Sequence, residues 1–234
     1  DFKITTDEYI FCGPKNGPNV NEFKVENCIF QSIRGARKKG NFIIGCENHH
    51  FFLNNNSFIG CTAYDKIIKC SANSNNYYFK LYSNIFSDCH HPDDNKKSIT
   101  ILTESSKNDF QNNTFTYLDK AVSQRSLEIN YYKDCKMIGN RFTNTFHTDG
   151  SAIKFNEPGS GTNDLEIADC VFTSCQGDNK SSGHKAGLII IIEKLNFHLK
   201  IFNTTFKNCK PSYVAESPET AYFVRFETDQ STPP

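Results

Sequence analysis

The sequence predicts an all-β parallel solenoid of about seven rungs, each made of three short strands. Three observations predict it. A six-residue phrase recurs seven times, its apolar residues alternate with period two, and asparagine keeps returning two residues before the phrase's closing phenylalanine. A single rung of this kind cannot bury its own apolar face, so the stack is the fold.

The phrase first reads Val25-Glu26-Asn27-Cys28-Ile29-Phe30 and closes again on Phe58, Phe86, Phe115, Phe142, Phe172 and Phe206. These anchors lie 28, 28, 29, 27, 30 and 34 residues apart. Five residues before each anchor stands Val25, Leu53, Leu81, Phe110, Met137, Ile167 or Ile201, always apolar. Seven before it stands Phe23, Phe51, Phe79, Asn108, Cys135, Leu165 or Leu199, apolar in all but one copy. The residues between are Lys24, Phe52, Lys80, Asp109, Lys136, Glu166 and Lys200, mostly charged. That alternation is a strand with one buried face.

A second short strand opens at each anchor, after an Asn-rich break. Asn56, Asn84, Asn113 and Asn140 fall in consecutive copies there, so their side chains can hydrogen-bond up a column. Asparagine also tolerates the left-handed backbone a tight bend needs. Three residues past the anchors stands a further column: Ile33, Cys61, Cys89, Leu118, Thr145, Cys175 and Cys209. A third strand follows each copy, in Asn41-Phe42-Ile43-Ile44-Gly45-Cys46, Lys66-Ile67-Ile68-Lys69-Cys70, Ile99-Thr100-Ile101-Leu102 and Ser126-Leu127-Glu128-Ile129. It continues in Ser151-Ala152-Ile153-Lys154-Phe155, Gly187 to Ile192 and Tyr222 to Phe226, and Tyr9 to Cys12 reads as the same strand from an earlier rung.

Composition agrees with a repeated slot: 21 Phe with no Trp, ten Cys and 26 Asn. Lys plus Arg and Asp plus Glu balance at 26 each, which argues against a nucleic-acid partner. The longest apolar run, Leu188 to Ile192, is five residues, so no membrane span lies within this segment. The chain starts at Asp1 without an initiator Met or a signal-like stretch. Residues 1–234 therefore read as one β-helix domain from a longer protein, continuing at least N-terminally because an open solenoid end needs a cap.

These repeats resemble the right-handed parallel β-helices of the pectate-lyase-like class, whose inner asparagine ladder sits at such a bend. More narrowly, the Asn-x-Phe-x-x-Cys phrases (Asn56 to Cys61, Asn84 to Cys89) and Gly150-Ser151-Ala152-Ile153 resemble the repeats of polymorphic outer-membrane proteins. Related repeats occur in surface proteins of protists. The resemblance implies a cell-surface or extracellular protein and a scaffold for adhesion.

Cys61 with Cys89, Cys175 with Cys209, and Cys46 with Cys70 fall in shared columns. About 4.8 Å between rungs is within a disulfide's Cα range, so each pair reads either as a vertical staple or as stacked buried thiols. Cys135 stands alone as a core thiol, and no C-x-x-C suggests zinc. Acceptor sequons occur at Asn55, Asn112, Asn179 and Asn203; three sit in the Asn-rich bend, where the side chain must face outward to be glycosylated.

An enzyme on this scaffold needs acids and bases converging on one face. Asp109, Lys136 and Glu166 are the candidates, with the two carboxylates about 9–10 Å apart across two rungs. Their column alternates in sign, however, as a solvated face does. Lys69, Glu128, Lys154 and Arg225 form a second outward row that could grip an acidic glycan. Asp93 and Asp94 lack a third carboxylate for calcium, and His49-His50 and His90-His91 face opposite sides of a strand. The 158–161 run Pro-Gly-Ser-Gly lacks the lysine of a phosphate loop. No cofactor is implied. The expected function is a non-catalytic, surface-exposed or secreted rod binding glycan or a cell-surface protein through loops 34–40, 90–97, 156–163, 176–187 and 210–220. The alternative is a lyase or glycoside hydrolase acting on an acidic polysaccharide.

Overall fold

A computed structural model describes residues 22–34, 43–71, 77–92, 98–118, 124–130, 133–147, 151–156, 163–177, 190–193, 197–210 and 224–227. Among them there is no helix. The chain winds repeatedly through three parallel sheets, laying each strand on the same strand of the previous turn.

Sheet 1 stacks Glu22–Glu26, His50–Asn54, Tyr78–Tyr82, Lys107–Gln111, Asp134–Ile138, Asn163–Ala168 and Phe197–Phe202. Sheet 2 stacks Ile29–Gln31, Ser57–Ile59, Ile85–Ser87, Thr114–Thr116, Arg141–Thr143, Val171–Thr173 and Thr205–Lys207. Sheet 3 stacks Ile44–Glu47, Lys66–Ser71, Ser98–Thr103, Gln124–Asn130, Ile153–Asn156, Ile190–Glu193 and Val224–Glu227. The sheet 1 register runs Lys24, Phe52, Lys80, Asp109, Lys136, Glu166, Lys200 without a slip. A one-residue slip would turn Leu53 and Leu81 outward, so the buried face holds the register.

Sheet 2 strands are three residues long and place one side chain inward, so that residue must fill its layer alone. Phenylalanine does. The seven anchor rings stack face to face with centroids 4.6–5.0 Å apart and planes within 2–10° of parallel. Backbone spacing in a parallel sheet is about 4.8 Å, so the rings inherit their stacking from the ladder. The five inner rings have no solvent exposure, worth about 1.5–3 kcal/mol of burial each.

Sheet 1 varies more inside. Phe23, Phe51 and Phe79 stack at 5.3 and 5.1 Å, and then Phe110 meets Phe79 edge-on. The polar exception, Asn108, is buried and satisfied: Thr103 Oγ1 donates to its Oδ1 at 2.9 Å, and its Nδ2 donates to Ser105 O at 2.7 Å.

The bend between sheets 1 and 2 holds the asparagine column. Asn84 Nδ2 donates to Leu53 O of the preceding turn at 2.9 Å and to Asn113 Oδ1 of the next at 3.1 Å. Its own Oδ1 accepts from Asn56 N and Asn56 Nδ2 at 2.9 and 3.0 Å. Asn56 and Asn113 repeat the pattern, while Asn140, the last in the run, donates to Phe110 O and faces Cys170 Sγ. The left-handed backbone belongs to the residue before the ladder, not to the ladder itself. Asn27, Asn55, Ser83, Asn112, Gly139, Asp169 and Asn203 all have φ between 49° and 67°. Gly139 has a second reason: a Cβ there would sit 2.4 Å from Asn112 Oδ1.

Two features break the regularity of the repeat. Leu118 does not point inward; it is 75% exposed, and Tyr117 enters the core instead. Tyr117 lacks the positive φ that its counterparts Ser32, Asp88, Asn144, Ser174 and Asn208 adopt, so this bend turns one residue out of phase. Its phenol is held by Thr100 Oγ1 at 2.7 Å and Ser126 Oγ at 3.3 Å. Burial pushes its pKa far up. Second, Phe146–His147 and Gln176–Gly177 add short strands beyond the three per turn, the former also pairing antiparallel at Gln124. Two-residue strands carry no periodicity to read. The Tyr9 to Cys12 strand lies outside the described residues.

Candidate functional site

The outer face of sheet 1 carries the most concentrated chemistry. Its three outward columns are written by in-register pairing. On the early turns they bring together His50, Phe52, Tyr78 and Tyr82, all half-buried, with Lys24 and Lys80. The His50 ring lies parallel to Tyr78 with centroids 3.6 Å apart, and Tyr78 meets Phe52 edge-on at 5.6 Å. Lys24 Nζ and Lys80 Nζ sit 5.3 and 5.4 Å from the Phe52 ring centre, and Lys80 Nζ is 5.2 Å from that of Tyr78. The result is an aromatic floor edged by two ammonium groups.

The electrostatics follow from these contacts. Lys24 Nζ pairs with Glu22 at 2.7 Å, which lowers the Glu22 pKa and raises that of Lys24. Burial lowers the His50 pKa, with Lys80 and His49 adding to the effect and Glu22 opposing it. Tyr78 N approaches His50 Nδ1 at 3.4 Å, a contact that suits an unprotonated nitrogen. Tyr82 Oη donates to Asp109 Oδ2 at 2.5 Å, and burial together with that carboxylate drives the phenol pKa far up.

The enzyme candidates lie side by side on the outer face of sheet 1. Asp109, Lys136 and Glu166 are in register neighbours. Asp109 accepts from Tyr82 and, at 2.9 Å, from Gln111 Nε2, so its oxygens are committed to fixing the edge of the aromatic floor. Lys136 is exposed and Glu166 half-buried. In strand register the second predicted row runs Lys69, Leu102, Glu128, Lys154, Ile191, Arg225. Leu102 interrupts it, and Glu128 is engaged by the buried Arg125, which also contacts His147 Nδ1 at 3.3 Å. His49 and His91 are buried while His50 and His90 are half-buried. Among the described residues no three His, Cys, Asp or Glu side chains gather as metal ligands; Asp93 and Asp94 lie outside them.

The nine described cysteines are thiols. Cys61, Cys89, Cys175 and Cys209 each point Sγ at the anchor carbonyl of the preceding turn, Phe30, Phe58, Phe142 and Phe172, at 3.2–3.4 Å. Cys170 does the same in the asparagine column, facing Met137 O at 3.4 Å. A thiol thus fills a donor slot that asparagine fills elsewhere. Cys46 and Cys70 are in register in sheet 3, both buried. In-register side chains run parallel, keeping Cβ atoms about 4.8 Å apart, beyond the 3.5–4.5 Å of a relaxed disulfide. Burial raises the Cys70, Cys89, Cys135 and Cys175 pKa values. Cys209, half-buried and supported by the Cys175 thiol, is lowered to about 7.

Asn55, Asn112 and Asn203 all stand exposed on the bend between sheets 1 and 2; Asn179 lies outside the described residues. The aromatic floor was not singled out from sequence, although the signal was present: reading the outward columns down the stack puts His50 beside Tyr78 and Phe52 between Lys24 and Lys80.

The fold and this face define a parallel β-solenoid repeat protein with an aromatic, lysine-edged outer surface. No family model, curated protein or solved structure matches the chain, so the assignment rests on the strand register itself. No helix among the described residues is long and apolar enough to cross a membrane.

Proposed function

We propose that the chain is a non-catalytic, surface-exposed or secreted β-helix rod that serves adhesion by binding glycan along the outer face of sheet 1. The observation that carries this is the half-buried group of His50, Phe52 and Tyr78, with Tyr78 stacked on His50 and edge-on to Phe52, between Lys24 and Lys80. Sugar rings offer C–H faces that pack on aromatic faces, and lysine ammonium groups donate to their hydroxyl or carboxylate oxygens. Aromatic side chains held by a rigid ladder lose little freedom on binding, which favours affinity from a shallow surface. The finer likeness, a right-handed pectate-lyase-like helix with repeats of the polymorphic outer-membrane-protein kind, is part of this proposal. It is supported by the asparagine column and the Asn-x-Phe-x-x-Cys phrases.

The test is retention and turnover on a panel of plant, animal and microbial polysaccharides, with and without calcium. Retention of a glycan without new reducing ends or unsaturated uronate absorbance is the expected result. Turnover would replace this reading with the lyase or hydrolase alternative and direct mutagenesis to Asp109, Lys136 and Glu166. Failure to retain any member would remove the glycan reading.

A further inference from the structure

The bend between sheets 1 and 2 obeys a strict grammar. Its first residue takes a left-handed backbone and faces solvent, its second points into the ladder, and its third opens sheet 2. When the first is Asn and the third Ser or Thr, the bend is an acceptor sequon. This holds for Asn55-Asn56-Ser57, Asn112-Asn113-Thr114 and Asn203-Thr204-Thr205.

We propose that Asn55, Asn112 and Asn203 carry N-linked glycans, forming a ridge along one edge of the rod. The inference rests on the surface or secreted location proposed above. Each Asn is exposed, and each partner Ser57, Thr114 and Thr205 is at least partly so. Asn55 Nδ2 donates to Asn27 Oδ1 at 2.8 Å, and an N-glycosylated amide keeps one N–H for that bond.

Spacing down the stack adds an independent argument. The sequons fall on the second, fourth and seventh strands of sheet 1 and never on neighbouring turns. The intervening first positions are Ser83, Gly139 and Asp169, none of which can accept an N-glycan. Attachment points are therefore about 9–10 Å and 14 Å apart, where adjacent turns would leave only about 4.8 Å. The ladder asparagines Asn56 and Asn113, one residue away, are buried and face the core.

The step is a glycosyl transfer from a lipid-diphosphate-linked oligosaccharide. Asn Nδ2 bonds to the sugar C1, the C1–O bond to the diphosphate breaks, the lipid diphosphate leaves with the electron pair, and Nδ2 gives up one proton.

Protein recovered from its native cells would be treated with peptide-N-glycosidase in ¹⁸O-labelled water and mapped by mass spectrometry. The expected result is ¹⁸O-labelled aspartate at positions 55, 112 and 203, with Asn56 and Asn113 unchanged. Label at fewer than two of the three overturns the proposal. A parallel arm routes the full chain, behind a signal peptide, through the secretory pathway of a eukaryotic cell. Label in that arm but not in native protein faults the location; no label in either faults the sites.

Discussion

The inner face of sheet 2 and the outer face of sheet 1 are built by the same in-register stacking, yet they read in opposite ways. Inside sheet 2 the column is seven phenylalanines. Outside sheet 1 the column changes character midway, from Lys24, Phe52 and Lys80 to Asp109, Lys136, Glu166 and Lys200. The interior must fill one fixed slot at every turn. The exterior has no such slot to fill, and on the reading proposed above what accumulates there serves binding. Stability should therefore live in the first column and binding in the second.

The largest expected effect is in the phenylalanine stack. Phe115→Ala, in mid-stack, should cost about 3–5 kcal/mol in chemical denaturation. The cavity lies between rings at 4.9 and 5.0 Å that the ladder prevents from closing. A loss under about 1 kcal/mol would show that the stack is filler. Next comes the bend. Asn84→Ala strips Leu53 O and Asn56 N of partners at 2.9 Å and should cost about 2–3 kcal/mol. Asn84→Cys should recover part of that, because Cys170 already fills the equivalent slot with its thiol on Met137 O. Equal losses for Ala and Cys would mean that the thiol bond contributes nothing.

What was legible in the sequence follows the same division. Columns under packing constraint could be read: the anchors, the alternation of sheet 1, the Asn column and the stacking of Cys61 on Cys89. Where a bend shifts phase by one residue, as at Tyr117 and Leu118, residue type gave no warning, because leucine is the more apolar of the two. The left-handed position was misplaced by one residue because the ladder and the bend both favour asparagine. The aromatic floor was hidden for a different reason. Its members are scattered over residues 24–82 and become neighbours only when three outward columns are laid side by side.

The third prediction compares the two halves of the outer face directly. Phe52→Ala should weaken glycan retention about tenfold while costing no more than about 1 kcal/mol of stability, since the ring is only half-buried. Lys136→Ala, on the charged half, should leave both within about twofold and 0.5 kcal/mol. Affinity chromatography and denaturation of the same preparations give both numbers. If Lys136→Ala weakened retention as much as Phe52→Ala, the binding surface would extend over the whole face.

The smallest effect separates the aromatic half by pH. His50 stacks on Tyr78, and burial lowers its pKa below the ordinary 6.5. Tyr77 and Tyr78 lie against its ring, and of the charged or titratable groups Glu22, Lys80 and His49 only Glu22 favours the proton. Above pH 6.5 the ring is neutral in both folded and unfolded chains, and no differential exists. As pH falls below 6.5 the unfolded chain takes up the proton while the folded one resists, so stability declines until the folded pKa is reached. The wild type should therefore lose more melting temperature between pH 7.5 and pH 5 than His50→Phe, which keeps the stack and removes the titration. The two proteins differ only at residue 50, so the difference between the two curves isolates His50. Parallel curves would mean that the stack accepts an imidazolium without cost. The floor would then owe its order to the ladder beneath it and nothing to its own contacts.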